Sequence, residues 1–507
     1  MDLHSLPERC RDQIYGVLNC YDRIILNGTL PLLCYAEGMT SHLKAHHIRI
    51  FDYSKFAAPL RDQIRANAEA LAKANNLQIE FILKKTFRKE KRIKEIIKAR
   101  GAHPGLVHIF SAMEPCTSYK PWHDKQTGQT YLKYDSGKCL HYYFYFIDDE
   151  LGLCYLRVPT WCPFRLQFYF NGHALLAFHL HRKGIAYELQ DNAFFMIADF
   201  EKANQLAERL NIDRLHRKLD AFARGYCPVI KALKVAYHWS LMQVEYATDI
   251  VFKRQQDLQA IYPHLLETLI HSVKPENIAT FLGQKLHGNY QGEMGNRFNV
   301  RLVGSRIKHH MGPVSIKMYD KFAIILRIET TVDDVSFFQE YREVHHRNGE
   351  RETKWTKMRK TVYNLPALQN LLRAANHRYL DFVSQIDSPV LGIKRLNALT
   401  QSKAENQHRY KGFNLLDDND AALWRLLLRG EWAISGFTRR RLRPFLPDQT
   451  PGQISRLLKR LRLHGLIKKV GKRYKYYLTH LGRLIASMTL KLRELYVIPR
   501  LAQQAVA

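Results

Sequence analysis

Four acidic residues stand where solvation does not explain them. Asp22 opens an apolar run, Tyr21 to Leu30, and Glu114 follows another, Gly105 to Met113. Glu245 and Asp249 lie four apart inside the apolar segment Tyr237 to Phe252. A carboxylate in such a setting is costly unless it meets a cation. Either a distant Arg or Lys supplies a salt bridge, or the carboxylates hold metal. Two divalent ions about 4 Å apart, bridged by such groups, activate an attacking oxygen and stabilise a leaving one. Asp22, Glu114, Glu245 and Asp249 are thus the candidate catalytic set. Asp22, Glu114 and Asp249 are the candidate metal ligands, with Mg²⁺ or Mn²⁺ as the expected cofactor.

The elements that must position these acids follow from the hydrophobic pattern. Tyr21 to Leu30 reads as a strand ending in an Asn27-Gly28 turn, after a short helix over Leu6 to Leu18. Gly105 to Met113 reads as a buried strand. Tyr237 to Phe252 is apolar on nearly every side and predicts a buried helix, on which Glu245 and Asp249 share a face. Strand, strand, then helix is the order of acids in ribonuclease H-like nucleases and transposases, which the body resembles in this respect. Helices are expected at 57–75 and 84–100, with a strand at 78–83. The 84–100 helix carries nine Lys or Arg and two Glu, which makes either a solvated face or a phosphate-tracking one.

From Lys138 to Phe170 the chain is β-rich and aromatic around an Asp148-Asp149-Glu150 turn. Its rings are either core or a stacking surface for unpaired bases. His179-Leu180-His181 falls on a predicted helix, where two imidazoles diverge instead of sharing a metal. Phe298 to Asp333 alternates basic and apolar residues, as two or three strands would. There Arg306, Lys308, Lys317 and Lys321 are candidate nucleic-acid contacts, while Asp320 and Glu329 pair locally or mark a working edge. Helix returns over 334–385, and 386–414 reads as a linker.

The net charge of +31, from 78 Lys or Arg against 47 Asp or Glu, attracts polyanions over the whole surface. Between Arg439 and Lys475 there are thirteen Lys or Arg and one acid, Asp448. Ile454, Leu457, Leu458 and Leu461 mark one helical face, Thr450-Pro451 its start and Gly465 its end. Lys468 and Lys469, a Gly471-Lys472-Arg473 tip and the aromatic run Tyr474 to Leu478 predict a basic hairpin after it. This layout resembles the winged-helix domains of MarR-like bacterial regulators. The resemblance implies a helix in the DNA major groove and a wing on the backbone. It makes Arg439, Arg440, Arg441, Gln453, Arg456, Lys459, Arg460, Lys468, Lys469, Lys472 and Arg473 candidate nucleic-acid contacts.

Eight cysteines without a C-x-x-C pair give neither a disulfide framework nor a zinc site, which fits a reducing cytoplasm. No apolar run reaches membrane-spanning length, and no signal peptide or lipidation motif is read. A soluble, cytoplasmic protein with no membrane partner is expected. No G-x-x-x-x-G-K-[ST] loop is present, which argues against an NTP-driven motor.

Two further resemblances cover the body. Tyr21-Asp22-Arg23, Glu114-Pro115-Cys116, Thr160 to Phe164, Asn171-Gly172, Asp191-Asn192, Tyr246 to Asp249 and Lys317 to Lys321 together resemble a widespread family of uncharacterised bacterial proteins. That implies homology and no activity. Gly304-Ser305-Arg306, Tyr319-Asp320-Lys321 and Leu326 to Glu329 are similar to a strand pair in rolling-circle replication initiators. This chain departs from those initiators in lacking a strand-borne His pair. The similarity does not place a nucleophilic tyrosine, at Tyr341 or elsewhere.

The expected fold is α+β and multidomain: a mixed α/β body, ribonuclease H-like, with an aromatic β-rich insertion and a C-terminal winged helix. The expected divisions are 1–135, 136–290, 291–385, the linker 386–414, the winged helix 415–485, and a tail 486–507. The expected function is a DNA-binding mobile-element or replication protein with metal-dependent phosphodiester cleavage or strand transfer. A non-enzymatic winged-helix regulator and an RNA-binding protein are the alternatives. Apolar helices at 364–385 and 483–497 are the candidate homodimer contacts.

Overall fold

The computed structural model describes residues 5–84, 86–286, 290–301, 304–346, 348–386, 389–470 and 474–504. The chain is mixed α+β and divides into two units, Met1–Asp387 and Ser388–Ala507.

The first unit is built on one sheet of eleven strands. In chain order its strands are β1 (Ile14–Thr29), β2 (Ile79–Phe81), β3 (Gly105–His123), β4 (Thr130–Asp148), β5 (Gly152–Pro159) and β6 (Leu166–Asn171). A separate hairpin follows, β7 (Tyr187–Gln190) and β8 (Ala193–Ile197), and then β9 (His238–Phe252), β10 (Met294–Arg301), β11 (Gly304–Met311), β12 (Val314–Lys321) and β13 (Ile325–Val332). Their order across the sheet is β10-β11-β12-β13-β9-β1-β6-β5-β4-β3-β2, antiparallel except for β2 with β3. The three body regions expected from sequence therefore fold together, and the expected boundary at 135 falls inside β4.

Nearly all of Tyr237 to Phe252 forms β9 (His238–Phe252), a strand rather than a helix. A central strand covered on both faces reads as a continuous apolar run, and its Trp, Val, Tyr, Thr and Ile content favours β structure. Glu245 and Asp249 still share a face, because residues four apart do so at period 2 as well. The Leu6–Leu18 helix is likewise shorter than expected, spanning only Leu6–Arg9 before β1 begins. Asn27-Gly28 lies within β1, where a Cβ on Gly28 would come 3.0 Å from the Trp239 ring. Residues 339–357 form a second separate hairpin, β14 (Gln339–His345) with β15 (Arg351–Lys357), in place of the expected helix.

Helices cover the sheet on both faces. Leu365–Ile386 lies on one, its Leu368, Leu372 and Tyr379 buried in the main core, so it is not free for the dimer contact expected of it. Its Asn376 donates to the Tyr246 and Ile328 carbonyls. On the other face Gly172–Arg182 packs with the β7–β8 hairpin through Leu176, Leu180 and Phe194 against Leu18 and Cys20 of β1. Each such fully buried large apolar side chain stabilises by roughly 1.5–3 kcal/mol.

The second unit packs helices Asp418–Leu427, Pro451–Leu463 and His480–Lys491 around Trp424, Phe437, Ile454, Leu458 and Leu461. It carries two hairpins, β16 (Lys403–Glu405) with β17 (His408–Tyr410) and β18 (Ile467–Val470) with β19 (Lys475–Leu478). The expected linker is folded: Pro389–Thr400 is helical, and Leu399 and Phe413 enter this unit's core. Among the described residues no helix is long and apolar enough to cross a membrane.

Candidate metal centre and nucleic-acid interface

The register of β1 explains how its acid reaches the site. Tyr21 pairs with Tyr246 and Ile24 with Val244, so Asp22 and Arg23 together face the single residue Glu245. Two residues opposite one is a β-bulge, which bends a strand and re-aims its side chains. On the neighbouring strand β6, Arg23 pairs with Asn171, the N-cap of helix Gly172–Arg182. Gly172 sits so close to β1 that a Cβ there would collide with the Tyr21 carbonyl oxygen. That contact lays the start of the helix, with Asn171 and His173, directly over the bulge.

Asp22 is buried and densely bonded. Asn171 Nδ2 donates to its Oδ1 at 2.8 Å, and Asn192 Nδ2 to both oxygens at 2.5 and 2.7 Å. Asn192 is delivered by the tip of the β7–β8 hairpin, where Asp191 turns the chain at φ 55°. Arg327 on β13 is fully buried between two acids. Its Nη1 donates to Asp22 Oδ2 at 3.1 Å; its Nε and Nη2 bracket Asp249 at 2.6 Å each. Burial pushes both aspartates up, but the guanidinium and His173 outweigh it, holding Asp22 well below the ordinary carboxylate range and Asp249 down to about 2.

Beside this pair a second group forms. Glu329 on β13 accepts from Tyr319 Oη at 2.6 Å and from Lys317 Nζ, both on β12. Lys317 Nζ also lies 3.5 Å from Glu245 Oε1. Burial and the Glu329 carboxylate push Glu245 up, with Lys317 only partly opposing them. Lys321 bonds to Asn192; burial and Arg327 lower it to about 8.

Asp22, Glu245 and Glu329 each offer an oxygen, all within 4.8 Å of one another, and such a set can hold a metal ion. Three carboxylates suit a hard cation. Asp22, Glu245, Asp249 and Glu329 meet Arg327, Lys317 and Lys321, and Arg23 acts on Glu245 as well. Arg23 Nε at the bulge is buried without a hydrogen-bond partner, and His173 Nδ1 lies 3.4 Å from Asp22 Oδ1. Glu245 keeps 18% of its side chain exposed, against 5% for Asp22 and 3% for Glu329, so the centre opens to solvent on the Glu245 side.

The structure corrects the expected site in two places. Glu114 lies on β3, four strands from β1, roughly 19 Å away at the usual strand spacing. It accepts from Tyr143 Oη at 2.6 Å and from Arg157 Nε and Nη2 at 2.9 and 2.6 Å, and cannot share an ion with Asp22. Asp249 is adjacent to the centre, but both its oxygens are taken by Arg327. Glu245, expected as a catalytic acid but not as a ligand, and Glu329, outside the expected set, fill their two places. The period-2 sharing of one face by Arg327, Glu329 and Thr331 is the signal that points to Glu329. Arg306 and Lys308 pair in register with Tyr319 and Lys317, on the same face as the triad. Lys317 and Lys321, expected on phosphate, are instead engaged by Glu329, Glu245 and Asn192.

In the second unit, Pro451–Leu463 is capped by Thr450, whose backbone N–H donates to Gln453 Oε1 at 2.6 Å. The Gln453 side-chain oxygen is thus committed to the capping box, and its amide N–H groups remain to meet a ligand. One flank of the helix borders a groove of about 990 Å³ lined by Arg439, Arg440, Arg441, Lys459, Lys469 and Lys475. Arg456 and Lys468 are exposed. Lys469 stacks on Tyr474 at 3.8 Å. Two expected contacts are structural instead: Lys459 pairs with Glu405, and Arg460 ties Asp420 to the Lys411 and Gly412 carbonyls while stacking on Phe413. Lys472 and Arg473 lie outside the described residues.

Comparison with family models, with curated proteins and with solved structures finds no match to this chain.

Proposed function

We propose that this protein binds nucleic acid and cuts or transfers phosphodiester strands using a divalent ion, Mg²⁺ or Mn²⁺, held by Asp22, Glu245 and Glu329. The observation that carries this reading is the convergence of three carboxylates from three neighbouring strands, at a bulge, in a strongly basic chain. A bound ion would lower the pKa of its water and screen a phosphate from the carboxylates. Arg23, with its unpartnered Nε and its charge acting on Glu245, stands close by to receive a phosphate oxygen. Asn171, Asn192 and Arg327 fix Asp22 in place. The strand, strand, helix order expected of the acids does not belong to this proposal, since Glu245 and Asp249 lie on a strand and Glu114 is away from the centre. A mobile-element or replication role in the bacterial cytoplasm does belong to it. So does DNA binding by the second unit as a winged helix, supported by its order of helix, helix and basic hairpin.

The test is to incubate supercoiled plasmid with the protein and Mg²⁺, Mn²⁺ or EDTA. Nicking that requires the metal supports the enzyme. DNA binding without nicking under either metal favours a regulator, a reading supported by the way Arg327 and Lys317 already neutralise much of the cluster.

Lys317 makes a separate prediction. An ammonium about 4 Å from a divalent ion costs roughly 8 kcal/mol at an effective dielectric of about 20. Lys317 must therefore swing off Glu245 and Glu329 when an ion enters. Lys317→Met is expected to tighten Mn²⁺ binding by about tenfold or more in calorimetric titration. Unchanged affinity would show that the lysine does not compete.

A further inference from the structure

The β16–β17 hairpin lies in the stretch whose sequence reads as a linker, yet it is fastened to the helix Pro451–Leu463. Lys403 Nζ donates to the Leu463 carbonyl at 3.0 Å. Glu405 pairs with Lys459 and lies 3.7 Å from Arg462. Asn406 and Gln407 both take positive φ, 49° and 60°, the geometry of a tight two-residue hairpin turn. All these anchors fall on the C-terminal end of the helix, from Lys459 onward. The N-terminal half, with Gln453 and Arg456, is left exposed.

The hairpin's only acid, Glu405, is consumed by those anchors. Its outgoing strand then presents His408 and Arg409 to solvent, and Lys411 follows just beyond it, also exposed. Between that strand and the helix runs a groove of about 720 Å³, bordered by Arg409, Lys411, Gln453 and Arg456 and, among the described residues, by no acid. At about 100° per residue, Gln453, Arg456 and Arg460 lie on the opposite flank of the helix from Ser455, Lys459 and Arg462, which border the larger groove. The exposed half of the helix therefore has a cationic groove on each side.

We infer that the β16–β17 hairpin is a second phosphate grip, holding one strand of duplex DNA while the Arg439–Arg441 and β18–β19 side holds the other. A helix seated in a major groove has one backbone on each flank, and two cationic grooves about one helix meet that requirement. This rests on the DNA-binding reading of the second unit.

The test uses the full chain and a labelled 30-base-pair duplex of random sequence, titrated over a series of salt concentrations. The double variant Arg409→Ala/Lys411→Ala is compared with wild type. Each lost phosphate contact lowers the slope of log K against log salt by about 0.9. The double variant should thus lose close to 2 in slope, and on the order of 10- to 100-fold in affinity near 0.1 M salt, with an unchanged thermal melt. An unchanged slope overturns the grip, and tighter binding overturns it by making the hairpin a cover. Equal wild-type affinity for an RNA duplex of the same sequence also overturns it, since the A-form major groove does not admit a helix. Failure of the wild type to bind either duplex overturns the DNA-binding reading itself.

Discussion

Glu329→Gln is expected to lower metal-dependent nicking by roughly 10³-fold, while Glu114→Gln leaves it within a factor of about two. An ion that activates a nucleophile and steadies a phosphoryl oxygen contributes several kcal/mol to the transition state, and about 4 kcal/mol is 10³-fold in rate. Glu329 supplies one of the three oxygens that lie within 4.8 Å of one another. Glu114 does not; its carboxylate is held by Tyr143 and Arg157, four strands away. Glutamine keeps the length of both side chains. At position 329 the Tyr319 hydroxyl can still donate to the amide oxygen that replaces the carboxylate, so the fold should survive. A matched pair of plasmid time courses reads the difference. Equal loss in both variants would place the chemistry elsewhere.

The second large effect concerns stability. Arg327→Met removes the cation shared by Asp22 and Asp249, both buried. Breaking a buried ion pair by removing one partner costs roughly 3–5 kcal/mol, because the remaining charge is stranded. Urea unfolding of the first unit should shift accordingly. Adding Asp249→Asn to Arg327→Met should recover part of the loss, since one stranded charge is then gone. The same pair predicts an acid dependence. Asp249 is held down to about 2 against an ordinary 3.8, so its stabilisation is complete above the ordinary value and is lost as pH falls through about 2. In Asp249→Asn that part of the acid sensitivity should vanish. A loss below about 1 kcal/mol in Arg327→Met, well short of what a stranded buried charge costs, would show that the pair does not hold the strands in register.

Much of this arrangement can be read from residue pattern, and the failures have physical causes. The Pro451–Leu463 helix is legible because it carries its own start, face and stop: Thr450 and Pro451, the Ile454-Leu458-Leu461 stripe, and Gly465 at φ 72°. Local chemistry decides such an element. β9 is not legible, because a strand buried on both faces lacks the alternation that identifies strands. Its acids nevertheless fall on one face, since a four-residue spacing is shared by helix and strand. Glu114 is misplaced because an acid following an apolar run gives no hint of how many strands separate it from Asp22. That separation is set by sheet order, which is a long-range property. Of the seven short segments, Tyr21-Asp22-Arg23, Asn171-Gly172, Asp191-Asn192, Tyr246 to Asp249 and Lys317 to Lys321 converge around Asp22, while Glu114-Pro115-Cys116 and Thr160 to Phe164 lie away from it. Their meeting point depends on the bulge in β1, which only the register reveals. The 386–414 stretch reads as a linker because hairpins with charged faces resemble solvated coil in composition.

Whether Asp22, Glu245 and Glu329 form one divalent-cation site is tested most directly by Mn²⁺ binding followed with electron paramagnetic resonance. One tightly bound ion per wild-type chain is predicted, and none in a folded Asp22→Asn variant. Wild-type protein that binds no Mn²⁺, or an Asp22→Asn variant that still binds it with unchanged affinity, would contradict the site.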